Sequence, residues 1–320
     1  MRARQLTPFL LLAFAASTGS GCKSHPVPPF TSPGAIEMAV TVDDLPRHGE
    51  DIPGVSRLDI HRQLLRALKH HKVPGVYGFV VGSGLLAHPE DTAALEAWLQ
   101  AGYLLGNHTY THPDAAKVPP DDFLAQVVAN EPVLAQLMGE SQARVWKVLR
   151  YPYLHEGADL EGRALIRHVL QARGYRIAEV TVDFEDWAWN NPYARCLARG
   201  SPKAVDVLET SYLDAALAQL RWSVDTSRRL FGGPIRHILL LHVGAFDAHM
   251  AERLLTAYEE AGVTWVTLDA ALEDPVYREE PHPPRSVRGT LLSQAVRARE
   301  WRGFPFPPDT DEDTLTLACQ

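Results

Sequence analysis

Residues 171–180 read QARGYRIAEV, and residues 259–268 read EEAGVTWVTL. Each stretch ends a helical pattern, places a glycine where a helix terminates, and begins a run of β-formers. Between Ile36 and Leu272 the same succession recurs. The strand-like runs are IEMAVTVDD (36–44), GVYGFVVGS (75–83), YLLGNHTY (103–110), VWKVLRYPY (145–153), RIAEVTVDF (176–184), IRHILLLHV (235–243) and VTWVTLD (263–269). The helical patterns between them cover 57–71, 89–101, 121–138, 160–173, 204–230 and 247–261, and Gly102, Gly139, Gly174 and Gly262 follow four of them. Strands that alternate with helices pair in parallel through right-handed crossovers. The pattern therefore predicts an α/β domain, either a βα barrel or a doubly wound sheet. No GxGxxG follows the first strand, so a dinucleotide-binding fold has no support.

The 320 residues are 46% hydrophobic and 22% charged, enough to build a sizeable core. The formal net charge of −8 gives no electrostatic reason to expect a nucleic-acid partner. At the start, Arg2 and Arg4 precede the apolar run LTPFLLLAFAA (6–16) and the small residues before Cys22. That order reads as a secretory signal over 1–21, too short to span a bilayer, with Cys22 placed for lipidation. The proline-rich stretch that follows makes 22–35 a lipid-anchored linker. The barrel is expected over 36–272. A C-terminal extension, 273–320, is expected to be partly disordered, with one helix near 289–301 and an acidic tail. The remaining cysteines, Cys196 and Cys319, are not expected to form a structural bridge, because Cys319 lies in that polar tail.

Polar residues gather at the ends of the strand-like runs. Asp43 and Asp44 end the first, His108 and His112 the third, Arg150 and Tyr153 the fourth, Asp183, Asp186 and Trp187 the fifth, and His242 the sixth. In βα barrels the C-terminal rim is where catalytic groups collect. Two adjacent aspartates repel each other and resist leaving water, so a metal ion, a catalytic role or plain solvent must compensate them. Adjacent residues of a regular strand also point to opposite faces, so the strand must bend or stop here, and Leu45-Pro46 is placed to stop it. His108 and His112 would stand about 13 Å apart if extended, too far for one ion, so the chain must curl between them, as one helical turn would do.

Taken jointly and in order, the stretches TVDD, NHTYTH, RYPY, DFEDW and ILLLH resemble the polysaccharide deacetylase (NodB homology, carbohydrate esterase type 4) family over about Ile36 to Leu272. The resemblance implies a distorted (β/α)7 barrel, a NodB-like deacetylase fold, and metal-dependent removal of acetyl groups from carbohydrate. It makes Asp44, His108 and His112 the ligands of a divalent metal, zinc first, with cobalt or nickel as alternatives. It implies Asp43 as the base that takes a proton from the attacking water, and His242 as the acid that protonates the leaving group. Arg150 would orient Asp43, and Asp186 would pair with His242. The backbone N–H of Tyr153 would stabilise the oxyanion, and Trp187 would line the acetyl pocket. The expected activity is N-deacetylation of acetylated amino sugars in a polysaccharide or peptidoglycan. An O-acetyl esterase and a non-catalytic carbohydrate-binding lipoprotein are the alternatives. The expected partners are an acetylated polysaccharide and a membrane reached through Cys22, and the chain is expected to be a monomeric, exported lipoprotein of the cell envelope, with the outer membrane as a destination. Two positions depart from the family pattern: Leu45 and Leu154 stand where glycine is common, and side chains there are expected to narrow or reshape the groove.

Overall fold

A computed structural model describes residues 35–278 and 287–320. The expected signal segment, Cys22 and the expected linker up to residue 34 lie outside the described residues. So do residues 279–286.

Seven strands form one parallel sheet: β1 (Ile36–Leu45), β2 (Tyr77–Val80), β3 (Leu104–Asn107), β4 (Val148–Leu149), β5 (Arg176–Ile177), β6 (His237–His242) and β7 (Val263–Trp265). The order is β5-β4-β3-β2-β1-β6, and β7 pairs with the first three residues of β1, before β2 joins it at Thr41. Beyond β5 the chain returns to β6 through a parallel bridge between Val182 and Leu239. The sheet therefore curls back on itself. This is the distorted barrel of the two predicted architectures, and not an open doubly wound sheet. β1 is its centre and is almost wholly buried. A parallel strand covered on both faces needs a continuous apolar run, and IEMAVTV supplies it.

The helices stand where the apolar periodicity places them: Arg57–His70, Thr92–Gln100, Pro120–Met138, Leu160–Ala172, Pro202–Phe231 and Ala245–Glu260. Ser56 caps the first of these in a capping box with Asp59. Gly102, Gly139, Gly174 and Gly262 all have positive φ, the left-handed conformation that ends a helix at least cost to glycine. Among the described residues no helix is long and apolar enough to cross a membrane.

Two segments differ from the sequence-based expectation. AWNNPYARCLARGSP, which reads as a loop, contains the helix Asn190–Ala198. Gly244 makes room for it, since a Cβ there would lie 2.0 Å from Asn190 Oδ1. That oxygen instead accepts the Phe246 N–H at 2.8 Å. The C-terminal segment forms the expected helix, at Leu291–Ala298, whose Leu291, Leu292 and Val296 are buried, but its acidic tail adds the short helix Glu312–Leu317. Cys319 is then bridged to Cys196, contrary to expectation. The physical reason lies in two arginines on the helix around Cys196. Arg195 donates to the carbonyls of Leu315, Thr316 and Ala318, and Arg199 to that of Gln320, which draws the polar tail onto the barrel.

Candidate active site

The C-terminal ends of the strands open into a cavity of about 520 Å³, lined among others by Asp43, Asp44, His108, His112, Tyr153, Trp187 and His242. Asp43 is the register partner of His242 across β1 and β6. Thr41 and Asp43 share one face of β1, two residues apart. Arg150, fully buried, spans both. It gives Nη1 to Asp43 Oδ1 and Oδ2 at 3.0 and 3.1 Å, Nη2 to Thr41 Oγ1 at 2.9 Å, and Nε to the Ala178 carbonyl at 2.8 Å.

Asp44 solves the problem of two neighbouring aspartates by its backbone. Its φ is +63°, the ladder to β2 shifts register between Val42 and Leu45, and the following Leu45–Pro46 peptide is cis. The reversal turns Asp44 into the same pocket as Asp43. His108 and His112 are brought together by a curl, as their spacing requires, but the curl is not a helix. Thr109 and His112 both have positive φ, and the Thr109 hydroxyl accepts the His112 N–H at 3.1 Å. Asp44 Oδ1 then lies 3.4 Å from His108 Nε2 and 3.3 Å from His112 Nε2.

These three donor atoms lie within 4.8 Å of one another, a set that fits a divalent cation. Ligands about 2.0–2.1 Å from a tetrahedral ion stand about 3.3–3.4 Å apart, which matches the two distances to Asp44. Proton accounting agrees. The Arg150 carbonyl, 2.8 Å from His108 Nδ1, can only accept, so Nδ1 carries the hydrogen and Nε2 presents a lone pair to the carboxylate. Burial and the neighbouring His108 push His112 down to about 4, so its imidazole is neutral at neutral pH, as a ligand must be. Burial works to raise the Asp44 carboxyl, but the neighbouring His108 and the hydrogen bond from His48 outweigh it and hold it well below the usual range.

On the opposite side, Asp186 is fully buried and holds His242 twice. Its Oδ1 is 2.7 Å from His242 Nδ1, and its Oδ2 accepts the His242 backbone N–H at 2.6 Å. Burial pushes Asp186 up to about 7, against the His242 N–H and with help from Asp183. Behind it stands Asp247, raised well above its ordinary value by burial and by the Asp186 charge. Asn190 and Tyr212 donate to Asp247 at 2.7 and 3.1 Å. Trp187 is 38% exposed and Tyr153 is 59% exposed, with its ring 4.6 Å from that of His112.

Every residue singled out at the strand ends thus reaches this one pocket or its immediate support. One expectation fails. Leu45 is fully buried and packs toward Gly78, where a Cβ would meet Leu45 Cδ2 at 2.4 Å, so it cannot narrow the groove. Leu154 does line the cavity, at a φ of +52°. Three polar lining residues were not among the residues singled out at the strand ends: His48, His155 and Glu185. Only His48 carried a signal, in falling four residues after Asp44 across a turn-forming Leu-Pro.

A family model described as polysaccharide deacetylase matches residues 32–178, which contain Asp43, Asp44, His108, His112 and Arg150. That match covers a little under half of the chain, and over those residues the chain is similar to the polysaccharide deacetylase family. It is 30% identical over 151 residues to a peptidoglycan-N-acetylglucosamine deacetylase of Bacillus cereus, covering 47% of this chain and 46% of that one. The chain thus spans about half the length of that relative. It is 25% identical over 260 residues to a chitin deacetylase of Colletotrichum lindemuthianum, covering 78% of this chain and 84% of that one. The solved chitin deacetylase of the same fungus superposes with a TM-score of 0.51 at 20% identity, covering 77% of this chain and 91% of that one. That likeness shows a shared α/β fold of the NodB type.

Proposed function

We propose that the protein is a metal-dependent hydrolase that removes the N-acetyl group from acetylated amino sugars of a polysaccharide or peptidoglycan. The observation that carries this reading is one pocket in which a fixed carboxylate, Asp43, and a fixed imidazole, His242, flank the Asp44–His108–His112 cluster. The peptidoglycan and chitin deacetylases among the relatives support the substrate class. A divalent ion held by those three residues would polarise the acetyl carbonyl and lower the pKa of water. We place zinc first, since two imidazoles and one carboxylate with open positions suit it.

The other steps belong to the chain itself. Asp43 takes the proton from the attacking water. Arg150 holds both Asp43 oxygens, and its other N–H groups are committed to Thr41 and Ala178, so the carboxylate cannot rotate away. His242, held at Nδ1 by Asp186, presents Nε2 to the pocket and protonates the departing amine. The Tyr153 N–H faces the developing oxyanion, and Trp187 packs on the acetyl methyl. On the sequence features at Arg2, Arg4 and Cys22 we also propose that the enzyme is exported and tethered by lipid at Cys22, and acts as a monomer. The test is release of acetate and of free amine from acetylated amino-sugar oligomers, with zinc, cobalt or nickel added back to stripped protein. Acetate with no new amine would refute N-deacetylation, and no product with any of the three metals would refute the hydrolase.

A further inference from the structure

We infer that His48 is a positioning residue for the metal-ligating carboxylate. Its Nδ1–H fixes the second oxygen of Asp44, so that the first faces His108 and His112. The inference rests on the reading of Asp44, His108 and His112 as the metal ligands.

His48 Nδ1 lies 2.8 Å from Asp44 Oδ2. A carboxylate can only accept, so the proton sits on Nδ1 and the bond is charge-assisted. Asp44 therefore divides its oxygens: Oδ2 goes to His48, and Oδ1 goes to the two histidines from the β3 end. A second grouping competes with this reading, because donor atoms of Asp44, His48 and His242 also lie within 4.8 Å of one another. Distance separates the two. Contacts of 3.3 and 3.4 Å match two ligands on one ion, whereas 2.8 Å is the length of a hydrogen bond and too short for two donors around a tetrahedral ion. His242 is moreover committed at Nδ1 to Asp186. His48 is thus the outer partner of a ligand, the arrangement that sets ligand orientation in metal sites.

The loop that carries His48 is built to hold it. Arg57 is buried and donates to the carbonyls of His48 and Gly49 at 2.5 and 2.7 Å. His61, also buried, has Nε2 at 3.0 Å from the Pro46 carbonyl. On the other side, Glu50 N–H donates to Asn191 Oδ1 at 3.0 Å. The His48 ring packs at 4.8 Å from that of His242, which limits its swing toward the acid side.

The test is cobalt(II) titration of the metal-stripped full-length protein, read by the visible absorption bands and by competition with a chelator. His48→Ala should weaken cobalt binding about 10–100-fold, the usual cost of losing such a partner, with the band positions kept and the melting temperature of the metal-free protein unchanged. His48→Asn should recover most of the affinity, because its amide N–H stands where Nδ1–H stood. Wild-type affinity in His48→Ala overturns the inference. So does a shift of the bands to another coordination, which would make His48 a ligand. A loss that His48→Asn does not rescue and that comes with a lower metal-free melting temperature also overturns it, since the role would then be packing. Wild-type protein that binds no cobalt at all overturns the metal-site reading itself, and the inference with it.

Discussion

One wall of the pocket hangs from β1, β3 and β4. Asp43, Asp44, His108 and His112 are set there by left-handed turns and by Arg150, which sits fully buried in packed core. The other wall is the segment from Asp183 to Trp189 with the end of β6. Its acids are buried among acids, Asp186 beside Asp183 and Asp247. What backs it is a second, mostly apolar cavity of about 550 Å³ between Phe184, Trp189, the helix Pro202–Phe231 and the C-terminal tail. Thr310 of that tail donates to the Phe184 carbonyl at 3.1 Å, and the Cys196–Cys319 bridge pins the tail down. A packed wall leaves its side chains little freedom, whereas a wall backed by a cavity has room to shift. On the roles proposed above, metal and base stand on the solid wall, and acid and substrate contact on the wall backed by the cavity.

The sharpest separation comes from the solid wall. His108→Ala should lose the metal and bring activity down to background, read by metal analysis and acetate release on the same sample. Asp43→Asn should keep the metal and slow turnover about 10²–10⁴-fold, because an amide cannot accept the proton. Full metal occupancy in His108→Ala would break the assignment of that wall.

Much of this wall was legible in the sequence, because its groups follow long apolar strands whose ends are easy to find. The strands at the far edge were less so. VWKVLRYPY and RIAEVTVDF read as full strands, yet their ladders cover only Val148–Leu149 and Arg176–Ile177. In the first run Val145 and Trp146 end a short helix and Pro152 and Tyr153 start a tight turn, and in the second Val182 adds only a bridge to β6, distinctions that β-propensity does not make. The compliant wall was the hardest to read. Asn190, Asn191 and Pro192 punctuate the start of a helix, so it reads as a loop. Cys196 and Cys319 lie 123 residues apart, and no local pattern announces that arginines will bring them together. His48 sits four residues after Asp44, a spacing that hints at contact but does not reveal that the contact is a hydrogen bond to a candidate ligand.

A smaller effect should appear on the compliant wall. Cys196→Ser should cost about 2–4 kcal/mol of stability, the usual range for a long covalent loop. KM for a polymeric substrate should rise while cobalt affinity stays within about 2-fold of wild type. An equal loss of metal binding would erase the distinction between the walls.

The smallest effect is electrostatic. Burial, with the Asp183 charge, pushes Glu185 from its ordinary 4.5 up to about 7. The folded chain therefore binds more protons than the unfolded chain between those values, and stability falls as pH rises through that window. Glu185→Gln removes the penalty. It should raise stability by about 1 kcal/mol near pH 8, discounted because solvent reaches part of the side chain, and change little near pH 4. Urea midpoints at the two pH values measure it, and a gain that is larger at the lower pH would contradict the sign.

The pairing of Asp43 with His242 across β1 and β6 has one more consequence. The residues proposed as proton acceptor and proton donor are the two ends of one rung of a parallel ladder, so their backbone separation is the strand spacing itself, about 4.8 Å. Chemistry is ruled by a length that no loop sets. The segments that meet the polymer can be lengthened, shortened or exchanged, and the span across which the proton must be passed stays the same.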